Sequence, residues 1–298
     1  MEKRQLISGE QFLTIETDSN TVLELCDQSP YLRHVVPKLE VSSITADLPA
    51  SVTLQTGDVA EYRIDPAQIR ITAPYDSISE GQTCFLLYHL LQREFLKSRI
   101  YVVHAAALVK NDNSILLIGS PKSGKTSLSL ELALERGFTL YGDDAIKLNF
   151  SDPSHIQISG GNQFVGYKKR HIEHPTIRSH YPQTLPRYLD TAKLGISQTS
   201  PTALTTVVFL EPDLFDSNKS SCLPPELGKI LFYEAVSREM RSAGYCLVRA
   251  SLPLPSLDRA QESTYFLNCL QKQNFRFSTL TGNFDKMVNH LEDLIHGK

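Results

Sequence analysis

Gly119-Ser120-Pro121-Lys122-Ser123-Gly124-Lys125-Thr126 fits the pattern G-x-x-x-x-G-K-[ST]. A loop of this kind turns its backbone N–H groups, with those of the following helix, toward phosphate oxygens. Lys125 is then placed to bridge the outer phosphates of a nucleotide, and the Thr126 hydroxyl to hold Mg²⁺. Ser127 follows in the first helical turn and completes the expected nucleotide-binding segment. The flanks suit the chemistry. Ser114 to Ile118 is a short apolar run, as a buried strand requires, and Thr126 to Glu135 reads as a helix that Gly137 stops. The plain alternative is a Gly/Ser turn that binds nothing.

Phe138-Thr139-Leu140-Tyr141-Gly142-Asp143-Asp144 comes directly after that helix. The helix is expected to return the chain to the strand adjacent to the loop strand, which brings both aspartates beside the phosphates. One carboxylate can hold Mg²⁺ and the other can accept the proton of an attacking hydroxyl. The residues do not assign which does which. A simple strand-end turn is the competing reading. His104, in Val102-Val103-His104-Ala105-Ala106-Ala107, lies on the preceding apolar strand. The alanines after it permit close backbone approach to a ligand, although a lone histidine on such a strand is more often a satisfied core residue.

The elements that must position these groups divide the chain in two. Residues 1–97 read as a smaller α+β unit. Segments 51–55, 60–64 and 68–72 alternate apolar and polar residues, as in a small antiparallel meander. A helix with a wide apolar face is expected over 80–97. Residues 98–298 read as an α/β catalytic unit. Its expected strands are 100–109, 115–118, 138–141, 147–150, 155–158, 205–210 and 275–280. Helices follow over 225–243, with Leu227, Ile230, Leu231, Ala235, Val236 and Met240 inward, and over 283–296.

The chain has 298 residues, 41% hydrophobic and 21% charged, with a formal net charge of −3. That composition suits a folded globular protein and argues against a nucleic-acid coat, which needs a basic excess. The start of the chain carries charges with no apolar run behind them, and no run is long enough to span a bilayer. A cytoplasmic protein without a membrane partner is the expectation. Five widely spaced cysteines without a C-x-x-C pair suit reduced, mostly buried thiols. Nine scattered histidines form no compact zinc motif.

His104, the loop from Gly119 and Gly142-Asp143-Asp144 together resemble the kinase domain of the HPr serine kinase/phosphorylase family. There is a weaker similarity to phosphoenolpyruvate carboxykinase. The resemblance covers about 50 residues, from His104 to Lys147. It implies a P-loop kinase fold of that type and an ATP- and Mg²⁺-dependent phosphotransferase acting on a hydroxyl, with GTP as another candidate donor. By that analogy Lys125 and the loop bind the β- and γ-phosphates and Thr126 ligates Mg²⁺. Asp143 and Asp144 share the base and metal roles, and His104 contacts phosphate. The family carries a further acidic-Ile-Arg-Gly signature. Here the corresponding stretch, Ile158 to Tyr167, holds Gly161-Asn162 and no carboxylate. HPr itself is therefore not the expected acceptor. A serine of a peptide or protein, or a small molecule, is.

A basic segment, Lys168-Lys169-Arg170-His171 with Arg178, His180, Arg187 and Lys193, follows. It is a candidate clamp for phosphate or an acidic acceptor, with Arg170 and Arg187 as the leading residues, unless it is only a solvated loop. The competing functional readings are an ATPase switch and a nucleotide-binding scaffold without an acceptor. Val207 to Pro212 superficially resembles a Walker B run, but no Leu-Ser-Gly-Gly signature accompanies it. Acceptor recognition or contacts in a homo-oligomer are expected of the N-terminal unit.

Overall fold

The computed structural model describes residues 1–44, 49–64, 68–167, 174–181, 187–198, 200–211, 219–241, 246–247, 252–253 and 256–296. The chain is a mixed α/β protein. It opens with β1 (Glu2–Ser8), β2 (Gln11–Thr17), α1 (Asn20–Gln28), α2 (Pro30–Val35), β3 (Leu39–Ser43), β4 (Val52–Thr56), β5 (Glu61–Ile64), β6 (Ile69–Ala73) and α3 (Glu80–Lys97). The six strands form one sheet in the order β3-β1-β2-β4-β6-β5. The expected antiparallel meander is corrected here. Its three strands exist, but β4 and β6 are parallel neighbours and β5 hangs on the edge beyond β6. Period-two alternation marks a buried face and carries no information on strand direction.

Serine side chains start α2 and α3. Ser29 Oγ accepts from Leu32 N and Pro30 follows in the first turn, so α2 begins abruptly. Ser79 and Gln82 form a reciprocal capping box at the start of α3. Helix α3 packs on both β2 and the first strand of the next segment.

That next segment runs β7 (Ile100–Val103), β8 (Ala105–Lys110), β9 (Asn113–Gly119), α4 (Lys125–Glu135), β10 (Thr139–Asp143), β11 (Ile146–Asn149) and β12 (Gln157–Gly161). Short pieces follow: β13 (Phe164–Val165), α5 (Pro175–His180), β14 (Leu189–Asp190) and β15 (Thr202–Ala203). The chain then continues through β16 (Thr206–Leu210), β17 (Ser220–Cys222), α6 (Pro225–Met240), β18 (Cys246–Leu247), β19 (Leu252–Pro253), α7 (Ala260–Gln271), β20 (Arg276–Leu280) and α8 (Phe284–His296). The second large sheet has the order β10-β8-β9-β16-β20-β17, with β9, β16 and β20 mutually parallel. A third sheet runs β15-β12-β11-β7. The single strand expected over 100–109 is thus two strands in two sheets, parted at His104.

β9 and β16 are buried on both faces, which explains their unbroken apolar runs. Leu116, Val207 and Phe209 face a cluster with Phe232 and Val236 of α6 and Phe266 of α7. Ile115, Leu117 and Val208 face the opposite cluster, with Leu128 and Leu132 of α4 and Leu291 of α8. Each fully buried leucine contributes about 1.5–3 kcal/mol of transfer free energy. The inward face of α6 differs from the expected one. Leu227 and Ile230 are exposed, whereas Gly228 and Phe232 are buried. A Cβ on Gly228 would lie 2.2 Å from the Phe277 ring, so the helix seats its glycine, not its leucine, against β20.

The first sheet and the segment that follows it share a core. Ile100, Val102 and Ala145 pack in the same cluster as Leu6, Leu86 and Leu90. Lys147, on β11, donates to the carbonyl of Ser8 at 2.9 Å across this seam. Among the described residues, no helix is long and apolar enough to cross a membrane. Cys26, Cys84 and Cys269 are buried free thiols, and Cys222 is exposed.

Candidate functional site

The glycine-lysine loop joins the end of β9 to the start of α4. Gly124 has φ +100°, a left-handed turn that lets the next residue enter the helix directly. Gly119 has no room for a side chain. A Cβ there would stand 2.5 Å from Ser123 Oγ and 2.8 Å from the Leu210 carbonyl of β16. Lys125 is buried and its Nζ donates to the carbonyls of Gly119 at 2.7 Å and Ser120 at 3.3 Å. Burial also lowers its pKa, although Asp143 and Asp144 oppose this.

The expectation that β10 lies next to the loop strand is corrected. β8, the hairpin partner of β9, occupies that place, and β10 pairs with β8 on its far side. Two antiparallel steps leave β10 parallel to β9, so its C-terminal aspartates still emerge at the loop's end of the sheet. Thr126 Oγ1 donates to Asp143 Oδ2 at 2.5 Å, which ties the start of α4 to the end of β10.

The two aspartates face different surroundings. Asp143 is 1% exposed, and its Oδ1 has no hydrogen-bond partner among the described residues. Burial, and then the neighbouring charge of Asp144, push its pKa up to about 7. Asp144 sits at φ +87°, a conformation costing a non-glycine residue on the order of 1–3 kcal/mol. Its N–H donates to the Ala105 carbonyl at 2.9 Å. The turn swings its carboxylate to where His34 Nε2 lies 2.9 Å from Oδ2 and His104 Nε2 lies 3.6 Å from Oδ1. Burial alone would raise the Asp144 pKa, but the His34 hydrogen bond and the charge of His104 hold it below the usual carboxylate value.

His34 comes from α2 in the N-terminal segment, and nothing local in the sequence marks it. Its Nδ1 faces the Phe164 carbonyl at 2.6 Å. Both ring nitrogens therefore face acceptors, which favours the doubly protonated ring. Burial opposes this, yet Asp144 and Phe164 together raise the pKa. Tyr188 stacks on the ring with centroids 4.4 Å apart. His104, at the break between β7 and β8, is half-exposed rather than a core residue. Burial of the ring outweighs Asp144 and lowers its pKa.

Asn162 is a second residue the motifs did not reveal. It follows Gly161 at the end of β12 and is fully buried. Its Oδ1 accepts from Asp143 N at 2.9 Å and Ala145 N at 3.4 Å, and its Nδ2 donates to Phe164 O at 3.1 Å. Gly142 and Gly161 make space for this contact. A Cβ on Gly142 would lie 2.6 Å from Asn162 N, and one on Gly161 2.5 Å from the Tyr141 carbonyl. Gly142 and Gly161 are thus explained by backbone packing.

Of the basic segment, Arg170 lies outside the described residues. Arg187 is exposed, and its guanidinium lies over the rings of Tyr188 at 5.4 Å and Tyr31 at 5.7 Å.

Three buried oxygens around the loop lack partners among the described residues: Ser123 Oγ, Ser127 Oγ and Asp143 Oδ1. Orphaned polar atoms beside a glycine cradle fit a polyanion and a hard cation better than they fit an empty structural turn. No group of three or more His, Cys, Asp or Glu that could hold a metal occurs among the described residues. A cation here would rest on Asp143, Thr126 and the oxygens of the bound phosphates.

No protein-family model matches the chain. No curated protein matches it either. Among solved structures, the HPr(Ser) kinase/phosphatase from Coxiella burnetii is similar at 14% identity and a TM-score of 0.34, covering 66% of this chain and 94% of that one.

Proposed function

We propose that this protein is an ATP- and Mg²⁺-dependent phosphotransferase of the HPr-kinase type that moves a γ-phosphoryl group to a hydroxyl. One observation carries the reading. Consecutive aspartates divide between the glycine-lysine loop, where Asp143 meets Thr126, and an open cleft, where Asp144 meets His34 and His104.

The residues take roles accordingly. The amides of the loop and of the first turn of α4 bind the β- and γ-phosphates, with Lys125 leaving its loop carbonyls to join them. Asp143 and Thr126 would hold Mg²⁺, which neutralises phosphate charge when bound. Burial and the charge of Asp144 raise the pKa of Asp143, and a cation held there would lower it. Asp144 stays ionised at neutral pH and accepts the acceptor's hydroxyl proton as the oxygen attacks the γ-phosphorus. The new bond joins that oxygen to phosphorus, the bond to the bridging oxygen breaks, and nucleoside diphosphate leaves. His34 fixes the direction of the Asp144 carboxylate, and Asn162 fixes the backbone that carries both aspartates.

The test is transfer of label from γ-labelled ATP into a cell extract, with Lys125→Ala as control. Label bound to extract components only with the intact protein supports the proposal. Release of free phosphate alone would replace it with an ATPase switch. Nucleotide binding without turnover would replace it with a scaffold.

A further inference from the structure

The reading above supplies a donor loop and a base, and it leaves the acceptor without a place. A cleft of about 300 Å³ opens on Asp144. His104 and Ala145 lie beside that carboxylate, and Tyr31 and Val35 of α2 and Phe85 of α3 supply an apolar wall. Arg187, which is exposed, holds its guanidinium 5.7 Å from the centre of the Tyr31 ring and 5.4 Å from that of Tyr188. We propose that this cleft is the acceptor site and that Arg187 selects its acceptor: a small hydroxy acid, with its hydroxyl at Asp144 and its carboxylate on Arg187. The proposal rests on the kinase reading and deepens it.

Three observations choose this chemistry. The first is size. The volume is at the lower end of small-ligand pockets, far below what a folded protein partner needs. The second is charge. Asp144 is matched by the His34 ring at 2.9 Å. Glu239, which also lines the cleft, has an interaction of its own. Arg187 pairs with no carboxylate among the described residues, and its partners are the two tyrosines. The charge left to be met is therefore positive, which suits an anionic group. The third is continuity. Tyr188, next to Arg187 in the chain, stacks on His34 with centroids 4.4 Å apart, and His34 grips Asp144. One surface thus joins guanidinium and base. Rings that hold a guanidinium by its face leave its planar fork of N–H donors to a carboxylate. The body of the acceptor rests on Tyr31 and Phe85, which meet edge-to-face with centroids 5.9 Å apart. The hydroxyl gives its proton to Asp144 as its oxygen bonds to the γ-phosphorus. The bond to the bridging oxygen breaks and nucleoside diphosphate leaves, while the acceptor's carboxylate makes and breaks no bond.

The experiment uses the whole protein and γ-labelled ATP. A cell extract is passed through a filter that retains proteins and peptides. One portion of the filtrate is left untreated, one is esterified with acidic methanol to cap its carboxylates, and one is esterified and then saponified. The expected result is a labelled product, separate from ATP and free phosphate, in the untreated and saponified portions and not in the esterified one. Arg187→Ala should raise the filtrate concentration at half-maximal rate by about ten- to a hundredfold, the scale of hydrogen bonds to a charged group. It should still bind a fluorescent ATP analogue as the unaltered protein does. Arg187→Lys, which keeps the charge without the fork, should recover part of the loss. The esterified portion tests the carboxylate on the unaltered protein, whatever the stability of the variants. Equal labelling of that portion would overturn the hydroxy acid. An unchanged half-maximal concentration in folded Arg187→Ala, or loss of analogue binding, would overturn the role of Arg187. Label confined to retained proteins and peptides would overturn the small acceptor. Each of these outcomes leaves the kinase reading intact. No label in any fraction overturns the kinase reading, and the acceptor site with it.

Discussion

His34 Nε2 stands 2.9 Å from Asp144 Oδ2, so a helix of the N-terminal segment holds the carboxylate that closes the second large sheet. A base held this way loses its aim when its partner is removed. His34→Ala is expected to lower transfer by about 10²-fold through misplacement of the carboxylate. Nucleotide affinity should stay unchanged, because the contacts of His34 run to Asp144, Phe164, Asn162, Tyr31 and Tyr188. His34→Gln, which keeps a donor, should recover part of the rate. Equal rates for His34→Ala and the unaltered protein would end the positioning argument.

The aspartates should separate by phenotype. Asp143→Asn removes the carboxylate at Thr126 and should raise the Mg²⁺ concentration needed for half-maximal rate. Asp144→Asn should leave that requirement unchanged and lower the maximal rate by about 10²–10⁴-fold, the usual scale of a general base. A Mg²⁺ titration of steady-state rates decides it, and the same response in both variants would refute the division of roles.

Gly142→Ala places a Cβ 2.6 Å from the Asn162 backbone nitrogen, where no flexible side chain can yield. It should destabilise the protein by about 1–3 kcal/mol. Gly166 has open space around its would-be Cβ, so Gly166→Ala should change stability by less than about 0.5 kcal/mol. Thermal melts of the two variants provide the check, and matching melts would show that Asn162 is not packed as described.

Lys147 gives a pH prediction. Burial first, and then the charge of Lys38, lower its pKa from the ordinary 10.5 to about 8. Between those values the unfolded chain carries the proton and the folded chain does not, so stability rises with pH across this window. A shift of that size corresponds to about 3 kcal/mol. Denaturant midpoints should therefore rise between about pH 8 and pH 10 in the unaltered protein. Lys147→Met should lack that component. A parallel pH response in the two proteins would contradict the lowered value.

What the sequence revealed follows from how locally each feature is encoded. Helix α3 carries its capping box and apolar face within its own residues, and the β9-loop-α4 segment carries strand, glycines and helix in sequence order. His34 was invisible because its meaning comes from Asp144, a long way along the chain. Ser29-Pro30 does mark a helix start, yet nothing there marks a carboxylate partner. Asn162 read only as a missing acid, since its contacts run to backbone amides that no motif lists. Strand direction failed at β4 and β6 because alternation is the same in either sense. Pairing of β10 with β8 depends on which strand the hairpin has already taken, a decision made by the whole sheet.

The shared core around Ile100, Val102 and Ala145 also bears on how such a protein can diversify. Its first 97 residues are no interchangeable cassette, because a graft would have to match that seam, the Lys147 bond to Ser8 and the His34 grip on Asp144 together. Tyr31, Phe85 and Tyr88, which line the cleft at Asp144, pack in or against that same core, so a replacement that reshapes the cleft disturbs the seam as well.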